Sequence, residues 1–360
     1  MSGSFSIPKL AIEILLNSKA SALVIVTYLV IAKHTDAKGR LSSCGLKAIK
    51  KYTGANDSLA KTAVEKLLQI NLDNEFLILS PTDWEEYSNE MLPVAKFELA
   101  KTRFVVNDFF LGSDEKVWFS NNLVEGFGKF SIPLKRLRVC GDFATRLLLL
   151  CYTEHNLQSY GGVDPKLLRH YYLMKKMNKL NDYQLWHGSS DGRFCSIDWI
   201  RSVAHVDYNL ANLKQKAEIM TQFFKALDDL DNAGFIYQVV TVFDRPIENQ
   251  EAQVIYELDT KSKHGYKPEG ERGLSGEVAK ISNLCGFPVT DSSGRFYGKY
   301  AAILPYGEPF IYGVYRLRFR VSNNKNYGVT EAWTRIYTGQ KDAFEWLTDI
   351  YNKLQNSNLS

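Results

Sequence analysis

The stretch from Leu46 to Leu68, LKAIKKYTGANDSLAKTAVEKLL, reads as two helices joined by a tight turn. Leu46 and Ile49 give the first helix, Leu46–Tyr52, an inward apolar face, and Ser42 or Ser43 can cap it. Thr53-Gly54-Ala55 is the turn, since a glycine reaches left-handed backbone without a Cβ clash. Asn56 can then cap a second helix running from Asp57 to about Gln69. On it Leu59, Ala60, Ala63, Val64, Leu67 and Leu68 recur at helical spacing and are expected to face inward. Asp57, Ser58, Lys61, Thr62 and Glu65 are left for the outer face.

Working outward, Leu23, Val26, Tyr28, Leu29 and Val30 form an earlier apolar stripe that stops at Asp36-Ala37-Lys38-Gly39. Downstream, Phe76–Leu79 and Val94–Val106 are strand-like and are separated by a polar loop with Trp84 and Pro93. Three helices followed by a β-hairpin is the expected local order.

The turn Thr53-Gly54-Ala55-Asn56 and the Ala60-xx-Ala63-Val64-xx-Leu67 spacing make the segment Leu23–Leu79 resemble the winged helix-turn-helix domains of GntR- and MarR-type bacterial regulators. The resemblance implies that the second helix of the pair enters the DNA major groove. It covers under a fifth of the chain. It departs at Asn71-Leu72-Asp73-Asn74, where that family usually has a glycine before its first wing strand; Asn tolerates positive φ there.

A second, looser match follows. Phe143–His155 and Pro165–Lys179 read as helices, Ser196 can cap Ile197–His205, and a long helix is expected from about Leu210 to Asn232. Its end, running into Gly234-Phe235-Ile236, resembles a recognition helix entering a wing made of Phe235–Phe243 and Ala252–Leu258. Between the two matches, Lys116–Phe130 reads as a strand pair with a Gly126-Phe127-Gly128 turn. Lys261–Gly273 has the composition of a linker. Beyond it come a short helix near Ser275–Leu284, strands near Phe296–Leu304, Ile311–Val321 and Tyr327–Tyr337, and a closing helix Gln340–Leu354. The expected fold class is therefore α+β: two winged helix-turn-helix domains and a C-terminal α+β segment with an antiparallel sheet. The boundaries are 1–112, a connecting hairpin 113–139, 140–260, a linker 261–274, and 275–360.

The net charge of +4 in 360 residues is too small to name a partner, but its distribution is uneven. Lys33 to Lys66 holds eight bases against three acids, and Lys166 to Lys216 nine against four. The five cysteines are scattered without a CxxC, so free thiols in a reducing compartment are expected and a zinc site is not. The six histidines form no HxH, HxxxH or HExxH, and neither a phosphate-cradling GxxxxGK[ST] nor a GxSxG elbow is present. Tyr172-Leu173-Met174-Lys175 has the spacing of rolling-circle nucleophiles, but the HxH metal pair that such enzymes need is missing. No enzyme activity and no cofactor are expected. The longest apolar run, Ala20–Ala32, is too short to cross a bilayer, so a cytoplasmic protein without membrane contact is expected.

The expected partner is double-stranded DNA, with self-association or other proteins as further possibilities. On the first unit the candidate contacts are Lys47, Lys50 and Lys51 over the backbone, and Asn56, Ser58, Lys61 and Thr62 at the start of the reading helix. On the second they are Asn209, Asn212, Lys214 and Gln215. In the C-terminal segment, alternation puts Arg316, Arg318 and Arg320 on one strand face, near phosphate spacing and with Glu331 as the only acid between Glu308 and Asp342. The reading is a sequence-specific duplex-DNA binder, acting as a transcriptional regulator or, by its layout, a plasmid- or phage-type replication initiator. The alternative is a winged-helix assembly module that binds proteins.

Overall fold

The computed structural model describes residues 3–36, 39–83, 103–106, 115–126, 132–156, 160–180, 183–206, 208–249, 252–261, 274–287, 299–305, 307–319 and 331–357. They divide into two units. The first comprises residues 1–153, 197–235 and 319–322, and the second comprises 154–196, 236–318 and 323–360.

The first unit is built around α2 (Ala22–Lys33), which follows β1 (Ser4–Pro8) and α1 (Lys9–Asn17). Ten residues of α2 are buried on all sides, including Val26, Tyr28 and Ile31, so it is a central core helix rather than an amphipathic surface one. Then come β2 (Leu41–Ser42), α3 (Leu46–Thr53), α4 (Asp57–Leu68), β3 (Asn71–Leu72), β4 (Glu75–Phe76), β5 (Ile78–Leu79) and β6 (Phe104–Val106). Strands β2, β6 and β5 form a three-stranded antiparallel sheet in that spatial order. The tight β3–β4 hairpin turns at Asp73 and Asn74, with φ of 52° and 71°. Two consecutive positive φ values suit Asp and Asn, which explains why no glycine is needed before this sheet.

The unit continues with β7 (Lys116–Ser120), α5 (Asn121–Glu125), α6 (Pro133–Thr153), α7 (Ile197–Ala204) and α8 (Leu213–Asn232). Helix α6 breaks at Gly141, whose φ of 91° no helix interior accepts. The break frees Asp142, whose Oδ1 accepts the Ala22 amide at 2.7 Å and so caps α2. One turn on, Arg146 donates to the Val203 carbonyl at 2.8 Å and holds the end of α7. The expected hairpin over Lys116–Phe130 is corrected here. Only β7 is a strand; it pairs with β1, and Ser120 caps α5 through the Asn122 amide. Phe127–Phe130 lie outside the described residues.

The second unit is one antiparallel six-stranded sheet with two helices. Its elements are β8 (His155–Asn156), β9 (Gly162–Val163), β10 (Leu168–Leu180), β11 (Tyr183–Cys195), β12 (Ile236–Phe243), β13 (Val254–Lys261), α9 (Leu274–Leu284), β14 (Lys299–Leu304), β15 (Phe310–Leu317) and α10 (Glu331–Ser357). The sheet runs β13-β12-β15-β10-β11-β14, and β8 and β9 pair separately. Val278, Ile281, Ala343, Leu347 and Ile350 of the helices pack with Leu185, Tyr256, Leu258 and Ile303 of the sheet.

Three expectations fail in this unit. Pro165–Lys179 is mostly strand β10, not helix. The register shift between Lys176 and Asn178 leaves Met177 as an extra residue in β10 and breaks its alternation of two there. Residues 331–337 begin α10 instead of ending a strand. The expected domain 140–260 is also split, because α7 and α8 belong to the first unit while β12 lies inside the six-stranded sheet, bonded to both β13 and β15. The two strands expected as a wing do pair with each other, but inside the larger sheet, because β12 is also bonded to β15. Among the described residues no helix is long and apolar enough to cross a membrane.

Candidate nucleic-acid interface

Helices α3 and α4 meet at Gly54, which takes φ 69° and donates its amide to the Lys50 carbonyl at 2.9 Å. That left-handed residue ends α3 and redirects the chain within three residues into α4. Asn56 Oδ1 accepts the Leu59 amide at 2.9 Å, so the expected cap is present. Its oxygen is thereby engaged in the helix, and only the amide NH2 remains to donate outward.

Ala60, Ala63 and Leu67 are the buried stripe of α4, while Val64 and Leu68 are half-buried. Ser58, Lys61, Thr62 and Glu65 are exposed together on the other side, as the spacing predicts. Leu59 is the exception: expected inside, it is 47% exposed. It sits in the first turn, one position off the stripe.

The α3 lysines differ from one another. Lys47 is exposed, and among the described residues no carboxylate lies within ion-pair distance of it. Lys50 is bound to Asp57 at 2.8 Å, and its hydrogen bond and charge hold the Asp57 carboxyl below the usual carboxylate range. Lys51 lies over the Tyr52 ring, 4.8 Å from its centroid. Lys33, at the start of the same basic segment, is paired with Glu125. Of these partners only Glu125 lies outside the counted segment, so one charge of its excess is offset by an acid that a local count does not see.

A base missed in the sequence reading stands beside this face. Lys135, in the first turn of α6, is exposed, and its Cγ, Cδ and Cε lie where a Cβ on Gly54 would come within 3.2, 3.3 and 3.5 Å. No local signal could have placed it there; only the packing of α6 does.

The second helix pair is arranged differently. Asn212 Oδ1 accepts the Gln215 amide at 2.9 Å, and Gln215 Oε1 accepts the Asn212 amide at 3.0 Å. This reciprocal capping box is the helix-start role open to these residue types, which are also able to bridge adenine N6 and N7. Both amide oxygens already accept a backbone N–H of the helix start, so each keeps one lone pair for an outside donor. Asn209 and Lys214 are exposed, and Lys216 lies 5.5 Å from the Tyr208 ring centroid. The bases between Lys166 and Lys216 are also divided: Lys166, Arg169, Lys175, Lys176, Lys179 and Arg193 belong to the second unit, and Arg201, Lys214 and Lys216 to the first.

The arginine row does not stand as expected. Arg316 is 1% exposed and grips Glu257 with both terminal nitrogens, Nη1 at 3.2 Å from Oε2 and Nη2 on Oε1. Strand β15 lies between β12 and β10, and both of its faces are covered, since every residue from Ile311 to Leu317 is buried. The counterion comes from β13, far upstream of the window in which acids were counted. Arg318 is half-buried just past the strand end, and Arg320 lies outside the described residues. Tyr172 is buried, its hydroxyl accepting from Gln238 Nε2 at 3.1 Å. Among the described residues no group of three or more His, Cys, Asp or Glu side chains could hold a metal. In comparisons with known proteins, the chain matches no family model, no curated protein and no solved structure.

Proposed function

We propose that this protein binds duplex DNA in a sequence-specific manner through α3, the Gly54 turn and α4, as a transcriptional regulator or a replication initiator. One observation carries the reading. A capped helix presents Ser58, Lys61 and Thr62 together on an open face, behind a turn flanked by lysines. The elements around it run helix, strand, helix, turn, helix, then a short β3–β4 hairpin and the strands β5 and β6, with β2 beside β6. Apart from the inserted hairpin this supports a winged-helix reading, and in that fold the second helix of the pair lies in the major groove. Lys61 can donate to guanine O6 and N7, and Ser58 and Thr62 can reach bases or phosphates. Lys47 and Lys51 suit the backbone. The second helix pair supports a separate reading head less well, because its amide oxygens are held in a cap.

The test separates base reading from backbone holding. Lys61→Ala should cost roughly 1–3 kcal/mol on a preferred site and much less on random duplex. Lys47→Ala should weaken both alike. Equal behaviour of the two variants on both duplexes would remove the assignment. Leu59 favours one rival, an assembly module, since an exposed leucine on the presented face suits a protein groove as well as a thymine methyl. That reading requires a folded protein with no affinity for duplex at low salt.

A further inference from the structure

We infer that Lys135 is a phosphate-contacting residue of the same DNA face, brought to the α3–α4 turn from the first turn of α6; this rests on the duplex-binding reading above. Leu134 and Leu137 are buried, at 0% and 1% exposure, so the backbone that carries Lys135 is fixed by the core. From there its methylene stem runs past Gly54, so close that a Cβ added there would meet Cγ at 3.2 Å. A lysine whose stem lies on protein and whose head is in water loses less freedom on gripping an anion than one that hangs free. Among the described residues no carboxylate lies within ion-pair distance of Lys135, whereas Lys50 on the same turn is held by Asp57. Gly54 therefore has two roles: it supplies the positive φ of the turn and leaves the track along which Lys135 reaches it.

A single phosphate contact is read in the salt dependence of binding. In the full chain, Lys135→Gln keeps a polar stem but removes the charge, and should make the slope of log K against log salt shallower by about 0.9. Between 50 and 200 mM salt the parent should then lose about 3.5-fold more affinity than the variant. The preferred sequence should not change, Lys135→Arg should restore the slope, and Lys116→Gln, on β7 of the same unit, should leave it alone. An unchanged slope in Lys135→Gln, while Lys61→Ala still weakens the preferred site, overturns the role of Lys135 and leaves the duplex reading standing. Absence of duplex binding by the folded parent overturns both. An equal change in slope for Lys116→Gln marks a general charge effect and also overturns the inference.

Discussion

Replacing Arg316 with Gln should destabilise the second unit by about 3–5 kcal/mol. The size follows from where the pair sits. The Arg316 and Glu257 side chains are 2% and 3% exposed, and the guanidinium bonds both carboxylate oxygens. Removing one partner strands a buried carboxylate opposite the buried Thr241 in the sheet, where water cannot replace the lost bonds. A surface pair would cost only about 0–1 kcal/mol, so the magnitude discriminates between the two placements. Urea unfolding followed by circular dichroism is the assay. With m of roughly 1–3 kcal/mol/M, a loss of 3 kcal/mol shifts the midpoint by at least about 1 M. Arg316→Met combined with Glu257→Leu removes both charges and should recover most of the loss, since no ion is then left alone. A midpoint shift for Arg316→Gln worth under about 1 kcal/mol would show a solvated pair and refute the buried placement.

Other perturbations test the first unit. Gly54→Ala puts a Cβ on a residue at φ 69° and within 3.2 Å of the Lys135 stem, and should cost about 1–2 kcal/mol in denaturant unfolding. Asp142→Ala uncaps the central helix and should cost about 1–3 kcal/mol, with α-helical signal retained below the transition. Asn212→Ala should lose about 1 kcal/mol of stability without altering the preferred duplex sequence, because its side chain caps α8; an altered preference would restore it as a reader. His205 has a pKa lowered below 6.5 by burial and by nearby Arg146 and Lys19. The unfolded state therefore takes up this proton first, and the contribution of His205 is present above pH 6.5 and lost as pH falls through its folded value. His205→Gln should flatten the decline in stability on acidification below pH 6.5, and an unchanged pH profile would contradict that origin.

The α3–α4 region was legible because its determinants are local. Gly54 needs positive φ, Asn56 needs a free amide three residues on, and Ala60, Ala63 and Leu67 share one side of one helix. The α+β class and the antiparallel sheet were legible for the same reason. Connectivity was not. The insertion of α7 and α8 of one unit between β11 and β12 of the other leaves no mark in residue spacing. The extra residue Met177 breaks the alternation of β10, and Arg316 found its counterion on β13, which pairs with β12 rather than with its own strand. The placement of Lys135 beside Gly54 escaped for the same reason as that of Glu257 beside Arg316: both come from tertiary packing between residues remote in the chain.

The claim that α3 and α4 read duplex DNA is tested most directly by selecting bound fragments from a random duplex pool with the full chain. Enrichment of one defined motif is predicted, with the parent preferring it over random duplex and Lys61→Ala losing most of that preference. A folded protein that enriches no motif, or a Lys61→Ala variant that enriches the same motif as strongly as the parent, would contradict it.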